Sequence, residues 1–137
     1  MLIDGLIALL TTDERGAAVY ALVADRVYEN ALPREYRFPA IVIHQSSGGQ
    51  DYDMAGPLNV DADEIQFDCY GTTALQARAL KTAVRSLLSP FVGELPDGTV
   101  TCLCQNVRDM AMPYQPNADA KGITHRWILG YSITTTE

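Results

Sequence analysis

The sequence predicts an α+β domain: an antiparallel sheet of three to four long strands covered by one amphipathic helix, with two short N-terminal helices. Three observations predict it. Residues 63–91, DEIQFDCYGTTALQARALKTAVRSLLSPF, switch from a hydrophobic period of two to one near 3.6 within one stretch. A β-branched run at 40–45, AIVIHQ, has turn formers on both sides. Two more alternating segments, 99–112 and 123–135, follow the helix.

Taken in order, residues 2–10 read as a short helix, with Leu2, Ile3, Leu6, Ile7, Leu9 and Leu10 covering most of its circumference. Gly5 weakens its interior by ~1 kcal/mol. Thr12-Asp13-Glu14 is a second start, and Val19, Tyr20, Leu22 and Val23 mark a second helix over 17–24. Val27-Tyr28 is a brief strand, and ALPREYRFP, held by Pro33 and Pro39, is a connection. After the strand at 40–45 comes SSGGQDYDMAGP, rich in Gly, Ser and Asp and without an apolar period. It reads as a long mobile hairpin loop, with Tyr52 and Met54 as the side chains that dock on a partner, since structureless loops of such length are often functional. The strand resumes at 58 and runs to 70, antiparallel to 40–46.

Within the central stretch, Ile65, Phe67 and Cys69 alternate with Gln66, Asp68 and Tyr70. Gly71 stops the alternation, and Thr72 or Thr73 caps the following helix. That helix places Leu75, Ala79, Leu80, Ala83, Val84, Leu87, Leu88 and Phe91 on one side and Arg78, Lys81, Thr82 and Arg85 on the other, until Ser89-Pro90 ends it. Pro96-Asp97-Gly98 is a turn. The next strand, 99–112, has Val100, Cys102 and Cys104 facing one way and Asn106 interrupting the alternation; residues 113–122 form a polar loop. The last strand alternates His125, Trp127, Leu129, Tyr131 and Ile133 with Thr124, Arg126, Ile128, Gly130 and Ser132. Trp127, Ile128 and Leu129 put apolar side chains on both faces, which calls for two coverings: the 73–89 helix and either the N-terminal helices or a neighbouring subunit. Trp127 and Ile128 are therefore candidates for a subunit interface.

The 137 residues read as a single domain over 1–137, with 47% apolar and 20% charged residues, ordinary for a soluble globular chain. No apolar run approaches the ~20 residues of a membrane span. The N-terminal stretch carries Asp4 and no basic region, which argues against a signal peptide and for a cytosolic product. A net charge of −7 argues against wrapping the outside of a nucleic acid. Cys69, Cys102 and Cys104 read as small buried hydrophobes; joined with His44 or His125 they lack the closely spaced pairs of a zinc site. Asp61, Asp63 and Glu64 lack the glycine and terminal glutamate of a calcium loop. The nucleophile-elbow, phosphate-loop and dinucleotide motifs are all missing, and His44-Gln45-Ser46 sets neighbouring strand residues on opposite faces. Neither an enzyme nor a cofactor is expected. One asymmetry remains: no Lys or Arg occurs between Phe38 and Ala77, a window holding Asp51, Asp53, Asp61, Asp63, Glu64 and Asp68. It is either a solvated acidic face or a surface that repels an anion or meets a basic partner.

The order of elements resembles the tail-completion proteins of long-tailed phages, also described as tail terminators or head-to-tail joining proteins. The residues that carry the resemblance are Val27-Tyr28, the segment held by Pro33 and Pro39, AIVIHQ, the strand EIQFDCYG, the helical run Ala77, Leu80, Val84 and Leu88, and the closing HRWILGYSI. Nearly the whole chain is covered, by patterns of polarity and not by invariant residues. The resemblance implies a non-enzymatic virion protein, located at the head–tail junction, that assembles as a ring, hexameric by expectation. Such a ring caps the tail tube, meets the tail-tube and head-connector proteins, and lets DNA pass without specific binding. Its acidic window would then face the bore. The competing reading is a small non-enzymatic binding module for a ligand or protein partner.

Overall fold

The computed structural model describes residues 2–35, 37–53, 56–88, 92–96, 98, 100–111 and 125–136. The chain opens with helix α1 (Leu2–Thr11), a 3₁₀ turn (Glu14–Gly16) and helix α2 (Ala17–Val23). Strand β1 (Val27–Glu29) precedes two long strands, β2 (Ala40–Asp53) and β3 (Gly56–Gly71). Helix α3 (Ala74–Leu88) follows, then the two-residue β4 (Gly93–Glu94), β5 (Val100–Ala111) and β6 (His125–Thr136).

The described strands form one mixed sheet in the order β1-β2-β3-β6-β5-β4. Four long antiparallel strands make its body, as expected, but two short edge strands flank them. One of these, β1, is parallel to β2, with Val27 opposite Ile41 and Glu29 opposite Ile43. A parallel neighbour requires the chain to cross over the sheet instead of turning back beside it. The proline-held segment after β1 makes that crossing, which a three-residue strand gives no means of foreseeing.

All three helices contribute to one core on one face of the sheet. Leu6, Leu9 and Leu10 of α1, Val19 and Val23 of α2, and Leu80, Val84 and Leu88 of α3 join Ile41, Ile43, Ile65, Phe67, Cys69, Leu129, Tyr131 and Ile133 in a single buried cluster. Phe67 and Tyr131 meet edge to face with ring centroids 5.7 Å apart. Burial of each large side chain removes it from water at roughly 1.5–3 kcal/mol, so this cluster dominates stability.

The strand-to-helix unit forms as the sequence indicates, with one change of face. Thr73 Oγ1 accepts from the Gln76 amide at 3.1 Å, while Gln76 Oε1 accepts from the amide and the hydroxyl of Thr72. This reciprocal arrangement satisfies donors that the first helical turn leaves open. Gly71 is required by close approach: a Cβ there would lie 2.6 Å from the Ala77 nitrogen. The buried stripe of α3 is Ala77, Leu80, Val84 and Leu88, with Ala83 and Leu87 half-buried. Leu75 is 67% exposed and Ala79 is exposed too, because the three-and-four spacing that runs through Leu80 passes through Ala77 and misses both. Phe91 lies outside the described residues.

Two more expectations are corrected. The stretch read as a mobile loop is paired strand at 47–53 and 56–57: β2 and β3 stay paired through Gly48–Asp63, Gln50–Asp61, Tyr52–Pro57 and Asp53–Gly56, so the two strands make one long ribbon, while residues 54–55 lie outside the described residues. Backbone pairing needs no side-chain periodicity, and for that reason composition alone hid it. In β5, Val100, Cys102 and Cys104 do not form one inward row. The register shifts between Thr101 and Leu103, so Thr101 and Cys104 are both buried while Val100 is 40% exposed. The interruption expected near Asn106 is a second such shift, between Asn106 and Arg108. The Pro96 turn closes through the Gly98 amide donating to the Leu95 carbonyl at 2.9 Å. The expected polar loop at 113–122 is outside the described residues.

Asp13 holds the N-terminal layer to the far edge of the sheet. Its carboxylate caps the 3₁₀ turn through the Arg15 amide and binds the Arg15 guanidinium, which also donates to the Glu94 carbonyl of β4 at 2.8 Å. The side-chain hydrogen bond from Arg15 holds the Asp13 pKa down at about 2.

Two outcomes test this account. Leu80→Ala should destabilise by about 2–5 kcal/mol in chemical denaturation, whereas Leu75→Ala should change stability by less than about 0.5 kcal/mol; equal effects would mean the wrong face has been identified. The depressed Asp13 pKa makes its contribution present above the ordinary carboxylate range and lost as pH falls from about 4 through about 2. Asp13→Asn should therefore lower the melting temperature at neutral pH and flatten the acid decline in that window, an effect that salt should weaken.

Candidate functional site

The sheet face opposite the helices carries the polar chemistry. Here the segment after β1 passes over β2 and β3, leaving a cleft of about 440 Å³ lined by residues 30–34 together with Val42, His44, Asp68, Tyr70 and Arg126. Phe38 at the end of the crossing stacks on Tyr70, with centroids 5.5 Å apart and planes within 4°. Arg126, the cross-strand neighbour of Tyr70 on β6, has its guanidinium carbon 5.8 Å from the Tyr70 ring centre. The crossing is itself anchored: Arg26 Nε donates to the Pro39 carbonyl at 2.9 Å, and the Asn30 amide to the Ile43 carbonyl at 2.9 Å.

At the floor of the cleft is Asp68, only 3% exposed. Its Oδ2 lies 3.1 Å from His44 Nε2, and its Oδ1 accepts from Gln66 Nε2 at 2.8 Å. A buried carboxylate without partners would be costly, so the imidazole and the amide are what allow β3 to place an aspartate there. The couple ties β2 to β3 at the floor of the cleft. Cys69, the adjacent residue, faces the core, where burial pushes its thiol pKa far up and keeps it protonated and unreactive.

The six acidic residues of the basic-free window do not form one wall. Asp68 is buried under the crossing and leaves the candidate surface for that reason. Glu64 is exposed and Asp63 half-buried, the latter accepting from Gln45 Nε2 at 3.1 Å. As neighbours on a strand these two project to opposite faces. Asp61 sits on β3 opposite Gln50, and Asp51 and Asp53 lie near the far end of the β2–β3 ribbon. Tyr52 is in that ribbon opposite Pro57, and Met54 lies outside the described residues.

The interface candidates separate in the same way. Trp127 is half-buried beneath α3, with Lys81 Nζ 4.3 Å from its ring centre, so the chain's own helix supplies its covering. Ile128 belongs to the opposite face, paired with Asp68 and Met110 on the neighbouring strands. It is 8% exposed, beside the more open Val107 and Met110. Sequence reasoning read the proline-held segment as a connection and gave it no part in a site. Its signal was Arg34 and Arg37 in a segment too polar for the core yet fixed at both ends by proline. No cluster of three or more metal-ligating side chains occurs among the described residues.

The His44–Asp68 couple is testable by itself. His44→Ala should cost about 1–3 kcal/mol, because it leaves a buried charged acceptor short of a donor, and the loss should shrink when Asp68→Asn is added.

The same architecture occurs in a chain of the virion of a native gene transfer agent particle. That chain is 18% identical, with a TM-score of 0.57 over 88% of this chain and 86% of the other. No curated protein matches the sequence. The model of the family described as tail completion protein gp17 matches residues 4–135, which spans every helix and strand of the fold bar the outermost residues. The chain belongs to the tail-completion protein family.

Proposed function

We propose that this chain is the tail-completion subunit of a phage-like virion, assembling as a ring that caps the tail tube and meets the head connector. The family match over residues 4–135 carries the reading. The fold supports it in two ways. The chemistry of its polar cleft is structural, with carboxylate, imidazole and guanidinium tied to the sheet. And the β2–β3 ribbon outruns the sheet that supports it, as an element meant for another molecule does. A hexamer is the ring we expect, with the tail-tube and head-connector proteins on its two rims.

In such a ring DNA passes through the bore. A basic lumen would bind phosphates and release counterions, holding the duplex, whereas carboxylates repel it and leave it free to slide. Asp61, Asp63 and Glu64 stand at the base of the ribbon, and we place that end of β3 towards the passage.

Light scattering over a range of concentrations, alone and with purified tail tubes, tests the ring. The expected result is a closed oligomer of about six subunits, seen by electron microscopy at one end of each tube. A chain that stays monomeric and fails to bind tubes would overturn it. If the ring forms with Glu64 and Asp63 on its outer wall, the bore assignment falls alone.

A further inference from the structure

We propose that the outer-face cleft binds the C-terminal carboxylate of a polypeptide that ends in an apolar residue. This role rests on membership of the tail-completion family, which sets the chain among other virion proteins, and not on the ring.

The floor of the cleft is already satisfied. Asp68, 3% exposed, has Oδ2 3.1 Å from His44 Nε2, and its Oδ1 accepts from Gln66 Nε2 at 2.8 Å. Both carboxylate oxygens are thus engaged within the sheet. The walls carry the cations: Arg126 comes from β6, and exposed Arg34 from the crossing that passes over the sheet. Arg126 is held in position, with Nη1 3.5 Å from the Tyr70 hydroxyl and the guanidinium carbon 5.8 Å from that ring's centre. A guanidinium fixed in this way loses little freedom on binding, and its planar fork suits a carboxylate.

Charge and shape together choose the ligand. Two guanidiniums against one carboxylate leave the lining with a formal excess of one positive charge, histidine uncounted, in a chain of net charge −7. Glu35 does not cancel it, because that residue lines a separate recess with Asp25, Arg26 and Arg37. A single carboxylate balances the excess. Inorganic phosphate, with nearly two charges, overshoots it beside Asp68, and a nucleic acid would bring many more phosphates to an acidic chain. The remaining lining is apolar, from Leu32 and Pro33 on the crossing and Val42 and Tyr70 on the sheet. At about 440 Å³ the space lies towards the small end of ligand sites, too small for a folded element. A chain end fits it better than an internal Asp or Glu, since carboxylate and apolar side chain there share one α-carbon.

NMR of the imidazole nitrogens reads binding. His44 lines the cleft, whereas His125, next to Arg126 on β6, points to the opposite face and serves as the control. The probe is acetyl-Gly-Gly-Leu with a free C-terminus, compared with the same peptide amidated and with inorganic phosphate. The free acid should shift the His44 signals saturably and leave those of His125 in place, while the amide should not bind. Arg126→Gln should weaken binding by about tenfold or more, the loss expected for charged hydrogen bonds. Arg34→Gln, at an exposed position, should weaken it by about two- to fivefold. Melting curves show whether Arg126→Gln, which loses its packing on Tyr70, stays folded; if it does not, Arg34→Gln carries the test. Absence of a saturable shift, equal binding of acid and amide, phosphate binding as tight as the peptide, or folded variants that bind like wild type would each overturn the assignment. A ring that forms without peptide binding removes the cleft assignment alone, and a chain that binds the peptide but forms no ring leaves it standing.

Discussion

Everything in this molecule depends on covering both faces of β3. On one side Ile65, Phe67 and Cys69 are sealed by the three helices; on the other Asp68 and Tyr70 are nearly as deeply buried. A strand flanked by β2 and β6 and buried above and below has no solvent to satisfy a polar side chain. The crossing between β1 and β2 answers that constraint. It brings Phe38 onto Tyr70 and leaves His44 to meet Asp68. The cleft, the parallel edge strand and the depth of the aspartate are thus three results of one decision about where residues 30–39 run.

The second face also explains how much of the molecule was legible beforehand. Hydrophobic periodicity reports burial against one neighbour, and it located the long strands and the helix that follows Gly71. It failed where side chains do not encode the contact. The ribbon beyond Gln45 is held by backbone hydrogen bonds in a Gly- and Ser-rich stretch. The bulge at Cys102 changes which residues point inward without altering composition. Leu75 was placed on the wrong side because a broad apolar count outweighed the exact angular spacing, and Ala77, small and easily overlooked, holds that place at 0% exposure. Asp68 looked like one more member of an acidic surface. Only its cross-strand position relative to His44 separates it from Glu64, and cross-strand register is not written in either strand alone.

The split among the acidic residues shows how one compositional signal can contain several physical roles. Asp68 is an internal group with assigned partners. Asp63 and Glu64 stand at the base of the ribbon on opposite faces, and Asp51 and Asp53 stand near its end. The absence of Lys and Arg across the window serves all of these positions, since a basic residue on β2 or β3 would compete for Asp68 or neutralise the ribbon. Family membership supplies the setting, a virion tail, while the fold decides which carboxylates remain available to other molecules.

The strand order has a consequence for how the chain comes to be folded. β6, the last strand made, lies between β3 and β5, both of which are synthesised earlier. Neither can complete its ladder until β6 arrives, and the Val60–Thr136 pair joins residues separated by more than half the chain. Contacts of such long range slow folding and keep strand edges open meanwhile. During synthesis the β2–β3 hairpin must wait with one edge bare, beside other nascent copies bearing the same edge. A net charge of −7, concentrated on that hairpin's acidic residues, keeps those waiting chains apart until each has received its own β6.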